Sequence, residues 1–187
     1  MFDRQGRRKY LNGAERQAYL GMLKREPDRA RRAFGLTLFY TGCRISEALN
    51  LTAAGVDLSQ RCLVFETLKR RRRGVFRAVP IPDELVRLLM PLVAEAGPSD
   101  RVWAQSRATA YRDIKDRMIR AGITGAMGSP KGLRHGFAIA AIGRSIPLPT
   151  VQKWLGHARL ETTAVYLSVT DDEERNLARR LWGRSGH

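Results

Sequence analysis

Cysteine is nearly missing from this chain of 187 residues. The two present, Cys43 and Cys62, stand in apolar or crowded stretches without metal-ligand spacing, so both read as buried, reduced thiols and no disulfide framework is expected. Histidine is as scarce. The three histidines and the carboxylates form no ligand cluster of the kind two helically spaced His and a third ligand would make, so no metal site is expected. No apolar run approaches a membrane span, and Met1-Phe2-Asp3-Arg4-Gln5 carries no apolar signal region. A phosphate-binding Gly-rich loop ending in Lys-Ser/Thr is absent, as are internal repeats, low-complexity stretches and domain linkers. What remains is a cytoplasmic chain of one domain, or one domain plus an appendage, long enough to bury its own core.

Basic residues dominate what is there. Lysine and arginine number 34 against 18 acidic residues, a formal charge of +16. A surface of that sign favours a polyanion, and nucleic acid is the commonest one. An anionic membrane surface ranks lower, because the apolar segments are short and core-like and no long basic amphipathic helix stands apart. Arginine supplies 28 of the cations and lysine 6. A guanidinium grips phosphate through two parallel hydrogen bonds, although a GC-rich genome would produce the same bias.

Periodicity and caps predict a mostly helical domain with one small antiparallel sheet. Asn12 and Glu15 mark a helix start over 13–24, after an exposed, basic lead-in over 1–11. Pro27-Asp28 opens a second helix to about residue 40, Thr41-Gly42 breaks it, and 45–51 reads as a short third helix. Residues 62–66 and 75–79 look like strands flanking a basic turn, with Pro80 and Pro82 ending the second. Helices follow over 83–96 and 107–121, the latter basic on its outer face, and then from Ser129-Pro130 to about residue 143. Pro147 and Pro149 bound a loop, and helices over 150–155, 161–168 and 171–181 complete the chain.

Four segments far apart in order carry the chemistry: Thr41-Gly42-Cys43-Arg44-Ile45-Ser46-Glu47, Lys131-Gly132-Leu133-Arg134-His135, Leu155-Gly156-His157 and Thr162-Thr163-Ala164-Val165-Tyr166. Arg44 follows a helix break among small or apolar neighbours, where a charge needs a partner; Glu47 one turn on is the bland choice. Arg134 sits on the first turns of a helix, whose start already carries partial positive charge; a surface salt bridge is its alternative reading. Gly156 lets the chain turn and aims His157 into a pocket. Tyr166 is a phenol with an ordinary pKa near ~10 that needs activation to attack anything. Taken alone it would read as core beside Val165 and Leu167.

In order and spacing these segments resemble the catalytic domain of the tyrosine recombinases, the phage integrase family. The Leu-Gly-His and Thr-Thr-x-x-Tyr pair is the most specific match, and the likeness runs from about residue 10 to about 181. It implies the mixed, mainly helical (α+β) recombinase catalytic-domain fold over 12–187, with the family's usual N-terminal DNA-clamping domain absent. About a dozen residues precede that region, which would suit either an excised fragment or a naturally short member. The implied reaction is metal-, cofactor- and ATP-independent transesterification. Tyr166 attacks a DNA phosphorus to form a 3′-phosphotyrosine and release a 5′ hydroxyl. Arg44, Arg134 and His157 hold the phosphate, Lys69 protonates the departing oxygen, and Glu47 supports the site. Lys131 assists from the position where the family most often has histidine, and His135 reads as structural.

The basic tip Arg70, Arg71, Arg72, Arg73, together with Arg77, is expected to contact DNA; a solvated hairpin tip is the alternative. The implied partner is double-stranded DNA, gripped by a homotetramer on two duplexes, with a monomer open as the free form. The last helix is expected to dock on a neighbouring subunit or to pack on its own domain. A bacterial, phage or plasmid origin is implied. Two other readings stay open: a non-catalytic DNA-binding accessory of the same fold, and a type IB topoisomerase-like nicking-closing enzyme.

Overall fold

The computed structural model describes residues 2–67 and 74–167. Helix α1 (Gly13–Lys24) starts at a capping box. Asn12 accepts the Glu15 amide at 2.8 Å, and the Glu15 carboxylate accepts the Asn12 amide at 2.8 Å. Helix α2 (Arg29–Thr41), capped by Asp28, is buried on every side from Ala33 to Phe39 and forms the axis of the domain. Helix α2 stops at Gly42, whose φ of 61° suits glycine; a Cβ there would also run into the Phe137 ring. Helix α3 (Ile45–Leu49) begins directly afterwards.

A short 3₁₀ turn (Ala53–Gly55) leads into a three-stranded antiparallel sheet. Its strands are β1 (Val56–Asp57), β2 (Cys62–Glu66) and β3 (Phe76–Pro80), in that order. Alternation along β3 points Arg77 and Val79 inward and Phe76 and Ala78 outward. Then come α4 (Asp83–Val93), α5 (Arg107–Arg120), α6 (Pro130–Ile142), α7 (Leu148–Leu155) and α8 (Glu161–Ala164). Helix α6 packs on α2, and Ser129 caps it through the Gly132 amide, with Pro130 in its first turn.

The apolar interior falls into two parts. A large core gathers α1 to α5, the sheet and the start of α6 around Phe34, Leu36, Phe65 and Trp103. A small one joins α6, α7 and α8 through Phe137, Ala138, Ala141, Val151, Leu155 and Tyr166. The segment bearing Tyr166 is thus held down by packing against α6 and α7.

The mainly helical fold with a small antiparallel sheet matches the sequence reading, with several corrections. The lead-in is not exposed throughout. Tyr10 and Leu11 are buried, and the Leu11 amide reaches the Gly132 carbonyl at 3.4 Å. Strand β1 went unforeseen because two residues show no period. Pro149 lies inside α7 rather than in a loop, since a first-turn proline has no helical hydrogen bond to lose. Helix α8 stops at Ala164, and Arg117 on α5 is buried against Glu26 (Nη2 to Oε2 2.6 Å) rather than on a basic outer face. Cys43 is buried as expected, whereas Cys62 is only half-buried. The expected helix over 171–181 lies outside the described residues. No described helix is long and apolar enough to cross a membrane.

Candidate active site

The turn from α2 into α3 carries the first arginine. Glu47 is fully buried and reaches back to the start of its own helix, accepting the Arg44 amide at 2.8 Å and the Arg44 guanidinium at 2.6 Å. Its other partner is Arg77 on β3, at 2.6 Å. Burial works to raise the Glu47 pKa, but the Arg77 charge and hydrogen bond, with help from Arg44, hold it below its ordinary value. The carboxylate therefore stays ionised and fixes both arginines. Arg44 spends one nitrogen on Glu47, and its side chain is 22% exposed.

Arg77 was expected on the DNA-facing surface; the structure corrects this. Its residue exposure is 6%, and all three guanidinium nitrogens find partners inside the protein. Nη2 meets Glu47, Nε donates to the Trp154 carbonyl at 2.7 Å and Nη1 to Thr67 Oγ1 at 3.1 Å. The physical reason is strand alternation, which sends Arg77 inward with Val79. Its work is to bind the sheet to α3 and α7 beneath the site.

Arg134 is buried in α6, one nitrogen donating to the Gly42 carbonyl at 2.8 Å and another to the Leu155 carbonyl at 2.7 Å. These bonds pin it between the ends of α2 and α7 and leave three of its five N–H donors for a ligand. Burial, then the neighbouring Arg44 charge, lowers its pKa to about 10, which still leaves it a cation at neutral pH. His157 follows the left-handed Gly156 (φ 67°), and its Nδ1 lies 2.8 Å from Thr163 Oγ1. Burial and then the Arg134 and Arg44 charges push its pKa down to about 4, so the imidazole is neutral with Nε2 turned away from Thr163.

Tyr166 is 2% exposed. Its ring lies nearly parallel to that of His157, 12° apart in plane with centroids 6.3 Å apart. Burial raises the phenol pKa, while Arg134 and Arg44 pull the other way. Arg44, Arg134, His157 and Tyr166 thus sit within electrostatic reach of one another, drawn from four separate chain segments.

Sequence reasoning missed one member of this group. His135 was read as structural, yet its Nδ1 lies 2.8 Å from the Tyr166 hydroxyl. The available signal was its place four residues after Lys131, which puts those two on one side of α6. Lys131 is exposed in the first turn of α6, and its charge is felt at His135. Lys69 and Arg70 to Arg73 lie outside the described residues. Approaching them, the hairpin continues past β2 and β3 as Thr67 donates its amide to the Val75 carbonyl at 2.8 Å.

A sequence profile of the phage integrase family matches residues 9–173. The chain belongs to the phage integrase family. A tyrosine recombinase of Thermosipho africanus (strain TCF52B) is 30% identical over 177 residues, covering 92% of this chain and 61% of that protein. The crystal structure of XerA recombinase superposes with a TM-score of 0.77 at 25% identity, over 94% of this chain and 65% of the other. A post-cleavage complex of XerH site-specific recombinase bound to palindromic difH substrate gives 0.75 at 25% identity, over 93% of this chain and 53% of the other. This integrase-family chain therefore spans roughly half to three-fifths of the length of the curated relatives it matches.

Proposed function

We propose that this chain is the catalytic part of a site-specific DNA recombinase. Tyr166 attacks a DNA phosphorus, the 3′-phosphotyrosine bond forms, and the 5′ oxygen departs. The ester keeps the energy of the broken bond, so a 5′ hydroxyl from a partner strand reverses the step without ATP. The observation that carries this reading is that two guanidinium groups, one imidazole and one phenol, from four separate chain segments, lie within electrostatic reach of one another.

Each group has a part set by its chemistry. Arg44 and Arg134 offer free N–H donors to the nonbridging oxygens and stabilise the extra charge of the pentacoordinate phosphorus. His157 donates from Nε2 if the Thr163 hydroxyl donates to Nδ1, which fixes the required tautomer. Glu47 orients Arg44 and is itself held by Arg77. Lys69 is assigned as the general acid for the leaving 5′ oxygen, because an ammonium gives up a proton far more readily than a guanidinium. Lys131 lends positive charge at the edge of the site, and Arg70 to Arg73 grip phosphates. Similarity to the XerH recombinase in its post-cleavage complex with palindromic difH substrate supports double-stranded DNA as the partner. Activity is assigned to a homotetramer on two duplexes, with residues 171–181 contacting a neighbouring subunit.

The test uses nicked duplexes made from the genomic flanks of the coding sequence. A covalent protein–DNA adduct in wild type that is lost in Tyr166→Phe supports the reading. Binding without an adduct would make the chain a DNA-binding accessory. An adduct with supercoil relaxation but no recombinant product would make it a nicking-closing enzyme.

A further inference from the structure

Activation of the phenol is the step that the residues carried over from the family leave least explained. Tyr166 is buried, and burial opposes its ionisation. Lys131 stands exposed in the first turn of α6, and no hydrogen bond joins it to the phenol. The contact that the Tyr166 hydroxyl does make is with His135 Nδ1, at 2.8 Å, with ring centroids 5.6 Å apart.

We propose that His135 is the proton acceptor for Tyr166, taking the phenolic proton on Nδ1 as the Oη–P bond forms. The inference rests on the recombinase reading above and adds a catalytic residue to it. The proton and electron balance is simple. The Oη–H bond breaks toward His135 Nδ1, the Oη–P bond forms, the P–O5′ bond breaks, and the leaving oxygen takes its proton from the separate acid. In religation His135, now protonated, returns the proton to Oη.

Three features fit His135 for this. As an acceptor from the phenol, Nδ1 must be bare, so the resting tautomer carries its proton on Nε2. The groups around it are Lys131 and Arg134 on its own helix, Lys9 from the N-terminal segment, and Tyr166 and His157 from beyond α7. Burial and then the Lys131, Arg134 and Lys9 charges push its pKa down to about 4, so at neutral pH it is empty-handed. A scissile phosphate placed between the arginines would offset those cations and raise its basicity when substrate is present. Lys131 thereby acts by tuning His135 and not by taking the proton itself.

Two measurements test this, one of them free of DNA. In long-range ¹H–¹⁵N spectra at pH 7, His135 should show a protonated Nε2 and a bare Nδ1, with Nδ1 shifting in Tyr166→Phe. A protonated Nδ1 overturns the proposal whether or not any DNA is cut. With a cleavable nicked duplex, His135→Asn keeps an oxygen acceptor where Nδ1 was but cannot carry the proton away. Single-turnover adduct formation at pH 7 should fall about 100-fold or more. The pH profile should also change shape. Wild type should be flat near neutrality and fall toward acid as His135 protonates, whereas the variant should climb with pH toward the phenol's own ionisation. Added imidazole should restore His135→Ala in part. Adduct formation within threefold of wild type in His135→Asn, or a loss equal at every pH and deaf to imidazole, overturns the assignment and leaves His135 a packing contact. If wild type itself gives no Tyr166-dependent adduct, the recombinase reading fails, and the spectra alone still report on the His135–Tyr166 bond.

Discussion

Arg134 donates a hydrogen bond to the carbonyl of Gly42 at 2.8 Å, across 92 positions of sequence. Gly42 is the residue that ends α2 and, two positions on, launches Arg44. One bond therefore ties the turn that carries Arg44 to the helix that carries Arg134, the two arginines we propose to share a phosphate. Rigid spacing matters because donors aimed at developing charge work best when they need not reorganise.

The first prediction concerns that pair. Arg44→Ala and Arg134→Ala should each lower the rate of adduct formation by about 10²–10³, a typical loss for removing one preorganised donor. DNA binding should weaken much less, because many other phosphate contacts remain. Single-turnover cleavage alongside equilibrium binding separates the two. Equal losses in both would mean that these arginines only hold DNA.

Glu47 gives a prediction about pH. Its carboxyl is held below the ordinary 4.5, so folding favours the ionised form. Its contribution to stability is complete above pH 4.5 and disappears as pH falls through the lowered folded value. Glu47→Gln should cost about 3–5 kcal/mol at pH 7, since it leaves the buried Arg77 charge unpaired. That gap should narrow below pH 4.5 in denaturant melts. A gap constant with pH would point to lost packing instead of lost charge.

Arg77 should behave as a scaffold. Arg77→Ala should lower the melting temperature sharply while the salt dependence of DNA binding, measured below that temperature, keeps its slope. Loss of a single phosphate contact would instead flatten the slope by about 0.9.

Thr163 tests the orientation of His157. Thr163→Val keeps the shape but removes the hydroxyl at 2.8 Å from Nδ1. Cleavage should fall about tenfold, matching one hydrogen bond of about 1–1.5 kcal/mol, and binding should hold. A full rate in the variant would show that His157 needs no help to face the phosphate.

Much of this was readable in advance at particular residues. Asn12 and Ser129 announce their helices because a cap is a local bond, made within three residues. Gly42 and Gly156 announce turns because few other residues adopt their φ. Arg77 was misread because a run of arginines nearby suggested one shared exposed face. Its spacing of two from Val79 already held the contrary signal, since alternate strand residues share a side. The contact of His135 with Tyr166 was not legible because position on a helix gives a direction and not a neighbour.

The chain order of caps and glycines decided by itself where α1, α2 and α6 begin and where α2 and α7 end, because those are short-range effects. Only the folded molecule decided that Glu47 binds two arginines, that Arg77 faces inward, and that Tyr166 folds back onto His135. Those pairings depend on how α3, β3, α6 and the segment after α8 pack together, and packing of distant segments is fixed by the whole core at once.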